Sequence, residues 1–139
     1  MKKILIIMNV LFLCFGFSAC GKREIIGDDS SQKFSDAEIT SAENAVIKKI
    51  EDFKGCDLVN LYYDEEKSNN AVEDYMSNGS KGSVNGVENN NIIVLFSDFK
   101  VDSKGGDGSF NPNSTYTDWM WILIRDSETS EWEVDDWGY

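Results

Sequence analysis

No histidine occurs anywhere in the 139 residues. That absence removes imidazole acid/base catalysis, Ser-His and Cys-His nucleophile pairs and histidine metal sites together. Basic residues are scarce: 13 Lys and Arg stand against 25 Asp and Glu, a formal charge of −12. Such a surface repels phosphates, which argues against a nucleic-acid partner. Cysteine is nearly missing. Cys14 and Cys20 belong to the N-terminal leader, and a lone Cys56 has no intrachain disulfide partner. The core must therefore hold itself together by packing. There is one proline, Pro112, and no internal repeat, and the length leaves room for one domain.

What is present starts with a leader. Met1-Lys-Lys3 is a positive n-region, and Ile4 to Phe17 is an apolar run broken only by Asn9 and Gly16. At about 14 residues it falls short of the roughly 20 that span a bilayer and fits a secretory h-region. Phe17-Ser-Ala-Cys20-Gly21 follows. It resembles the lipobox of bacterial lipoproteins, with Phe17 where that motif usually has Leu. The resemblance implies a diacylglyceryl-modified Cys20 as the mature N-terminus; an ordinary signal peptide cut after Ala19 is the alternative. Cleavage there removes Lys2 and Lys3 and no acid, so the mature chain is more negative still. The expected organisation is a signal peptide at 1–19, a lipidated tether at 20–33 and one domain at 34–139. From Gly21 to Lys33 the tether reaches at most roughly 43 Å, at about 3.3 Å per residue.

The domain opens on a capping box, Ser35-Asp-Ala-Glu38, with Phe34 and Ile39 placed for a hydrophobic staple. Ile39, Ala42, Val46, Ile50 and Phe53 recur at helical spacing, and Gly55 is the expected terminator. Asp57 to Tyr63 predicts a strand. Ser68 or Asn69 is placed to cap a short helix through Val72 and Tyr75, ending at Asn78-Gly79. Ser80 to Asn90 reads as loop. Asn91 to Lys100 predicts a second strand, and Tyr116 to Tyr139 a hairpin holding all four tryptophans. Trp119, Trp121 and Leu123 share one face of its first strand, and Met120, Ile122 and Ile124 the other. A strand apolar on both faces is covered on both, which makes it central. The order predicts an α+β fold: one long N-terminal helix packed on a curved four-stranded antiparallel sheet. This arrangement is similar to the cystatin-like and nuclear-transport-factor-like rolls, where helix and sheet enclose a cavity.

Candidate sites are few. The acidic, Gly-rich stretch Asp102 to Ser109 invites a Ca²⁺ reading, but Lys104 and Gly106 occupy positions that need oxygen ligands. A flexible hairpin loop fits better, and no metal or cofactor is expected. Asp64, Glu65 and Glu66 with Asp135 and Asp136 offer glycosidase-type carboxylates; solvated surface is the plainer reading. Cys56 lacks a neighbouring base to make a thiolate. Trp119, Trp121 and Trp137 are the candidate binding aromatics, with core packing as the plainer reading for rings at strand spacing. Trp137 is the exception. Either alternation from Trp132 and Val134 puts Asp136 inside and Trp137 outside, or a bulge resets the register. Asp118 and Asp136 are the candidate polar end of a cavity, with carboxyl pKa values expected to be raised by desolvation.

Three stretches carry a family resemblance: FKGCDLVNLYYDEEKS at 53–68, NIIVLFSDFKVDSKGGDGSFNPNSTYTDWMWILIRD at 91–126, and the final WEVDDWGY. They resemble an uncharacterised family of lipoproteins from Gram-positive bacteria with a nuclear-transport-factor-like domain. The resemblance implies fold and a cell-membrane, extracytoplasmic location, and brings no substrate, catalytic residue or partner with it. The expected function is a non-catalytic module that binds a small ligand or a protein. The alternative is a histidine-free enzyme using cavity carboxylates.

Overall fold

The computed structural model describes residues 31–139; the signal peptide, Cys20 and the tether through Ser30 lie outside the described residues. The elements run α1 (Asp36–Ile50), β1 (Cys56–Tyr62), α2 (Glu65–Ser77), α3 (Lys81–Val84), a 3₁₀ turn (Asn89–Asn91), β2 (Ile92–Val101), β3 (Thr115–Ile124) and β4 (Glu133–Gly138). The four strands form one open antiparallel sheet in the order β1-β2-β3-β4. The fold is therefore α+β, with β2 and β3 central. Among the described residues no helix is long and apolar enough to cross a membrane.

Local chemistry starts α1. The Ser35 hydroxyl accepts from the Glu38 N–H at 3.3 Å, and the Glu38 carboxylate accepts from the Ser35 N–H at 2.8 Å. Asp36 and Glu38 open the helix and Lys48 and Lys49 close it, both favourable to its dipole. The helix ends at Ile50, one turn before the expected stop. Phe53 sits in the following turn and reaches Phe99, Trp121 and Trp137. Gly55 then takes φ +71°, and a Cβ there would lie 2.5 Å from an Asp102 carboxylate oxygen, so only glycine fits.

Each face of the sheet has its own cover. Ile93, Leu95, Phe99, Trp121 and Leu123 face α1 and form, with Ile39, Ala42, Val46 and Ile50, a cluster of fourteen buried residues. Trp121 is fully buried, its indole N–H donating to the Ser97 hydroxyl at 2.8 Å. Ile92, Val94 and Phe96 face the other way, under Val72 and Tyr75 of α2. The cavity expected between α1 and the sheet is thus filled by side chains. The open space lies on the opposite face.

α2 is longer than its sequence suggested. Its cap is Asp64, which accepts from the Lys67 N–H at 2.9 Å, and Ser68 is not a cap at all. Ser68 is buried, and its hydroxyl accepts from the Val94 N–H at 3.0 Å. The reason is topological. β1 ends at Tyr62 opposite Phe96, leaving the first half of β2 without a partner on that side. Ser68 supplies one missing acceptor, as a buried backbone donor requires.

The last residues of the expected tether are part of the domain. The Glu65 carboxylate accepts from the Ser31 hydroxyl, from the Gln32 N–H at 2.8 Å and from the Lys33 N–H at 3.3 Å. The Ser31 hydroxyl in turn accepts from the Phe34 N–H at 2.9 Å. The loop after β2 is likewise pinned. One Asp102 carboxylate oxygen accepts from the Lys104 and Gly106 N–H groups, each at 2.9 Å, which holds that carboxyl below the usual range. The stretch expected to be a flexible hairpin loop is built around this carboxylate.

Candidate functional site

The open space on the second face is a groove of about 610 Å³ between α2 and β4. Phe96, Met120 and Ile122 form its floor. Asp74 stands on the α2 side, Asp136 on the β4 side, and Tyr139 at the rim. The volume falls in the range of small-molecule sites. A second groove, of about 670 Å³, lies beyond α3 among Lys81, Glu88, Arg125 and Glu133. Its two cations are committed: Lys81 pairs with Asp135 at 3.1 Å, and Arg125 is buried under contacts described below.

A bulge in β4 builds the acidic rim. Ile122 pairs with Asp136 and Leu123 with Val134, so Asp135 is an extra residue in the ladder. Both acids end on the α2 side, and Trp137, opposite Trp121, returns to the α1 side. There Trp137 packs on Phe53 and lies under the Lys49 ammonium at 4.9 Å, with 41 % of its surface exposed. Of the two alternatives open in the sequence, the bulge is the one realised. Asp135 is the buried acid: its carboxylate accepts from the Tyr75 hydroxyl at 2.5 Å and pairs with Lys81, with the side chain 6 % exposed. Tyr75 also accepts from the Gly82 N–H at 2.8 Å, so one ring ties α2, α3 and β4 together. Burial and the Asp135 carboxylate both push its phenol upward.

Asp118 does not join Asp136 in a pocket. It sits at a second bulge, at φ +53°, with its N–H donating to Asp98 at 3.0 Å. Its side chain is 62 % exposed, accepts from the Tyr62 hydroxyl and lies 3.5 Å from the Lys67 ammonium. The Tyr62 hydrogen bond, then Lys67, holds this carboxyl below its ordinary value. The expectation of a raised pKa is corrected accordingly: the charge is solvated and hydrogen-bonded rather than desolvated.

The aromatics divide. Trp121 is core. Trp119 is half-buried among Phe99, Phe110, Tyr116 and Tyr139, its indole nitrogen enclosed without a hydrogen-bond acceptor. Cys56 carries a thiol raised by burial and by Asp102, Asp107 and Asp57, unsuited to nucleophilic attack. Of the remaining carboxylates, Asp64 caps α2 and Glu65 pins Ser31–Lys33. Among the described residues no group of three or more His, Cys, Asp or Glu is placed to hold a metal ion.

Arg125 is the residue the sequence did not announce. Its side chain is 3 % exposed and pairs with Glu38 at 2.9 Å. It also donates to the Asn91 side chain at 3.1 Å and to the Glu128 and Asn90 carbonyls, each at 3.3 Å. Trp132 covers the guanidinium at 4.3 Å. It joins the start of α1 to the 3₁₀ turn and the β3–β4 turn, a structural role. An arginine after an apolar strand is normally read as the first solvated residue, so nothing local marked it.

Comparison with curated proteins gives no match, and comparison with solved structures gives none. A family model does match, over residues 30–138, nearly the whole span of the described domain. The chain belongs to the DUF4829 family, a domain of unknown function.

Proposed function

We propose that this chain is a lipid-anchored, extracytoplasmic, non-catalytic binding module whose site is the groove between α2 and β4. The observation that carries the reading is the groove itself. Its floor of Phe96, Met120 and Ile122 is apolar while its rim is acidic, the arrangement by which small-molecule sites combine affinity with orientation. The acids on this face also support binding over catalysis. Asp118 and Asp135 are each tied to a tyrosine and a lysine, so neither is at liberty to serve as an acid or base.

The leader and the lipobox-like Cys20 support the anchor. With Ser31 tied to Glu65, only Gly21 to Ser30 separate the anchor from the domain, a reach of at most roughly 33 Å. Two acyl chains, at ~0.8 kcal/mol per buried methylene, hold even a strongly acidic protein at the membrane. The fold we assign to the cystatin-like or nuclear-transport-factor-like rolls, supported by α1 lying across a sheet bent by bulges in all three ladders.

Two measurements test this. Labelled fatty acid should mark the wild-type protein in cells and leave Cys20→Ser unmarked; equal labelling would remove the anchor. Native mass spectrometry of protein purified from its own cells should show a small-molecule adduct, absent from Met120→Trp. An adduct of equal abundance on both would move the site out of the groove.

A further inference from the structure

The charge pattern around the α2 groove specifies what it would bind. Asp74, Asp118, Asp135 and Asp136 are the carboxylates in or directly beside the groove. Two are already neutralised, Asp118 by Lys67 and Asp135 by Lys81. Asp74, on α2, and Asp136, on β4, line the groove itself, and neither forms an ion pair among the described residues. Among the described residues the Asp136 carboxylate accepts only from the Trp137 N–H, at 2.9 Å. Lys67, the cation on the rim, is engaged with Tyr62 and Asp118. An anionic ligand would therefore meet two free acids and no free base, in a chain of net charge −12.

The floor adds the second half of the specification. Phe96 is 5 % exposed, while Met120 and Ile122 are only partly covered, so apolar surface remains at the bottom of the groove. Methionine is unbranched and polarisable and moulds itself to varied apolar shapes.

Resting on the groove as the binding site, we propose that its ligand is a small amphipathic cation, with an ammonium group on the Asp74–Asp136 rim and an apolar body on Met120 and Ile122. Binding is reversible and needs no covalent step.

The test uses the full chain in nanodiscs of neutral lipid, with the Met and Ile methyl groups labelled for NMR. Hexylammonium, hexanol, hexanoate and methylammonium are titrated separately, each against empty nanodiscs to correct for its free concentration. Hexylammonium should move the Met120 and Ile122 methyls saturably and bind about tenfold more tightly than hexanol, with hexanoate weaker still. Methylammonium, lacking the apolar body, should give no saturable shift. Asp136→Asn should bring hexylammonium toward the hexanol affinity and leave hexanol unchanged. Hexanol or hexanoate binding as tightly as hexylammonium would overturn the cation assignment and leave the groove reading standing. A tetralysine peptide that moves the same methyls when hexylammonium does not would overturn the small amine in favour of a basic polypeptide. No shift at Met120 and Ile122 with any probe would overturn the groove reading together with this inference.

Discussion

The two faces of the sheet differ in how completely they are closed. Under α1, fourteen buried residues interlock, with Phe34, Phe53, Phe99 and Trp121 meeting other rings edge-on or tilted. Under α2, five residues are buried, and Met120 and Ile122 remain partly open beside them. Adjacent residues of β3 thus belong to different environments: Trp121 is sealed, Met120 lines a groove. Helix geometry explains the difference. α1 presents Ile39, Ala42, Val46 and Ile50 along one apolar stripe, whereas α2 presents little beyond Val72 and Tyr75. The stable face holds the fold, and the incompletely covered face is the one we propose for binding.

Substitutions at neighbouring positions of β3 break this comparison most directly. Trp121→Ala should cost about 3–5 kcal/mol through lost packing and the cavity left behind. Chemical denaturation measures it, and an unchanged midpoint would mean that the α1 face is not the core. Arg125→Met should cost about 2–3 kcal/mol, because the Asn90 and Glu128 carbonyls lose a charged donor and Glu38 its partner. Met120→Ala, on the half-open face, should cost only about 1 kcal/mol, since much of the side chain is never removed from water. A loss at Met120 equal to that at Trp121 would erase the distinction.

Ionisation sharpens the picture further. Glu38, Glu65, Asp102, Asp107 and Asp118 are all held below ordinary carboxyl values, chiefly by hydrogen bonds. A depressed folded-state pKa stabilises above the unfolded value and loses that contribution as pH falls through the folded one, so stability should drop below about pH 4. Tyr62, Tyr63 and Tyr75 are raised, first by burial. Their contribution is lost as pH rises from the ordinary phenol value, so stability should also decline above about pH 10. Asp118→Asn should make the acid limb slightly shallower, a small effect because this carboxylate is largely exposed. An acid limb steeper in the variant than in wild type would contradict the Tyr62–Lys67 contact.

The parts legible in the sequence are those decided within a few residues. The Ser35–Glu38 box lies within one turn, and alternation along Trp119 to Ile124 sorts that strand into its two faces without any other part of the chain. The parts that were not legible depend on distant partners. The β4 register turns on Asp135, whose contacts Tyr75 and Lys81 lie more than fifty residues away. Arg125 is explained only by Asn90, Asn91 and Glu38 together. Nor does periodicity say which face a helix will cover: the likeness to the rolls implies a cavity under α1, open or filled, while the groove forms under α2. The Asp64 cap is different: an acid followed by Glu65 and Glu66 is a readable helix start.

The central claim is that one face maintains the fold and the other binds, and Met120→Trp tests it in a single variant. The larger ring should occupy the groove above Phe96 and Ile122 without entering the α1 cluster. Hexylammonium titration of this variant beside wild type, with the denaturation midpoint of each, gives both readouts. The account predicts a midpoint close to wild type and saturable binding reduced by about tenfold or more. Wild-type affinity at an unchanged midpoint would contradict it, because the ligand would then be bound somewhere other than the α2 face.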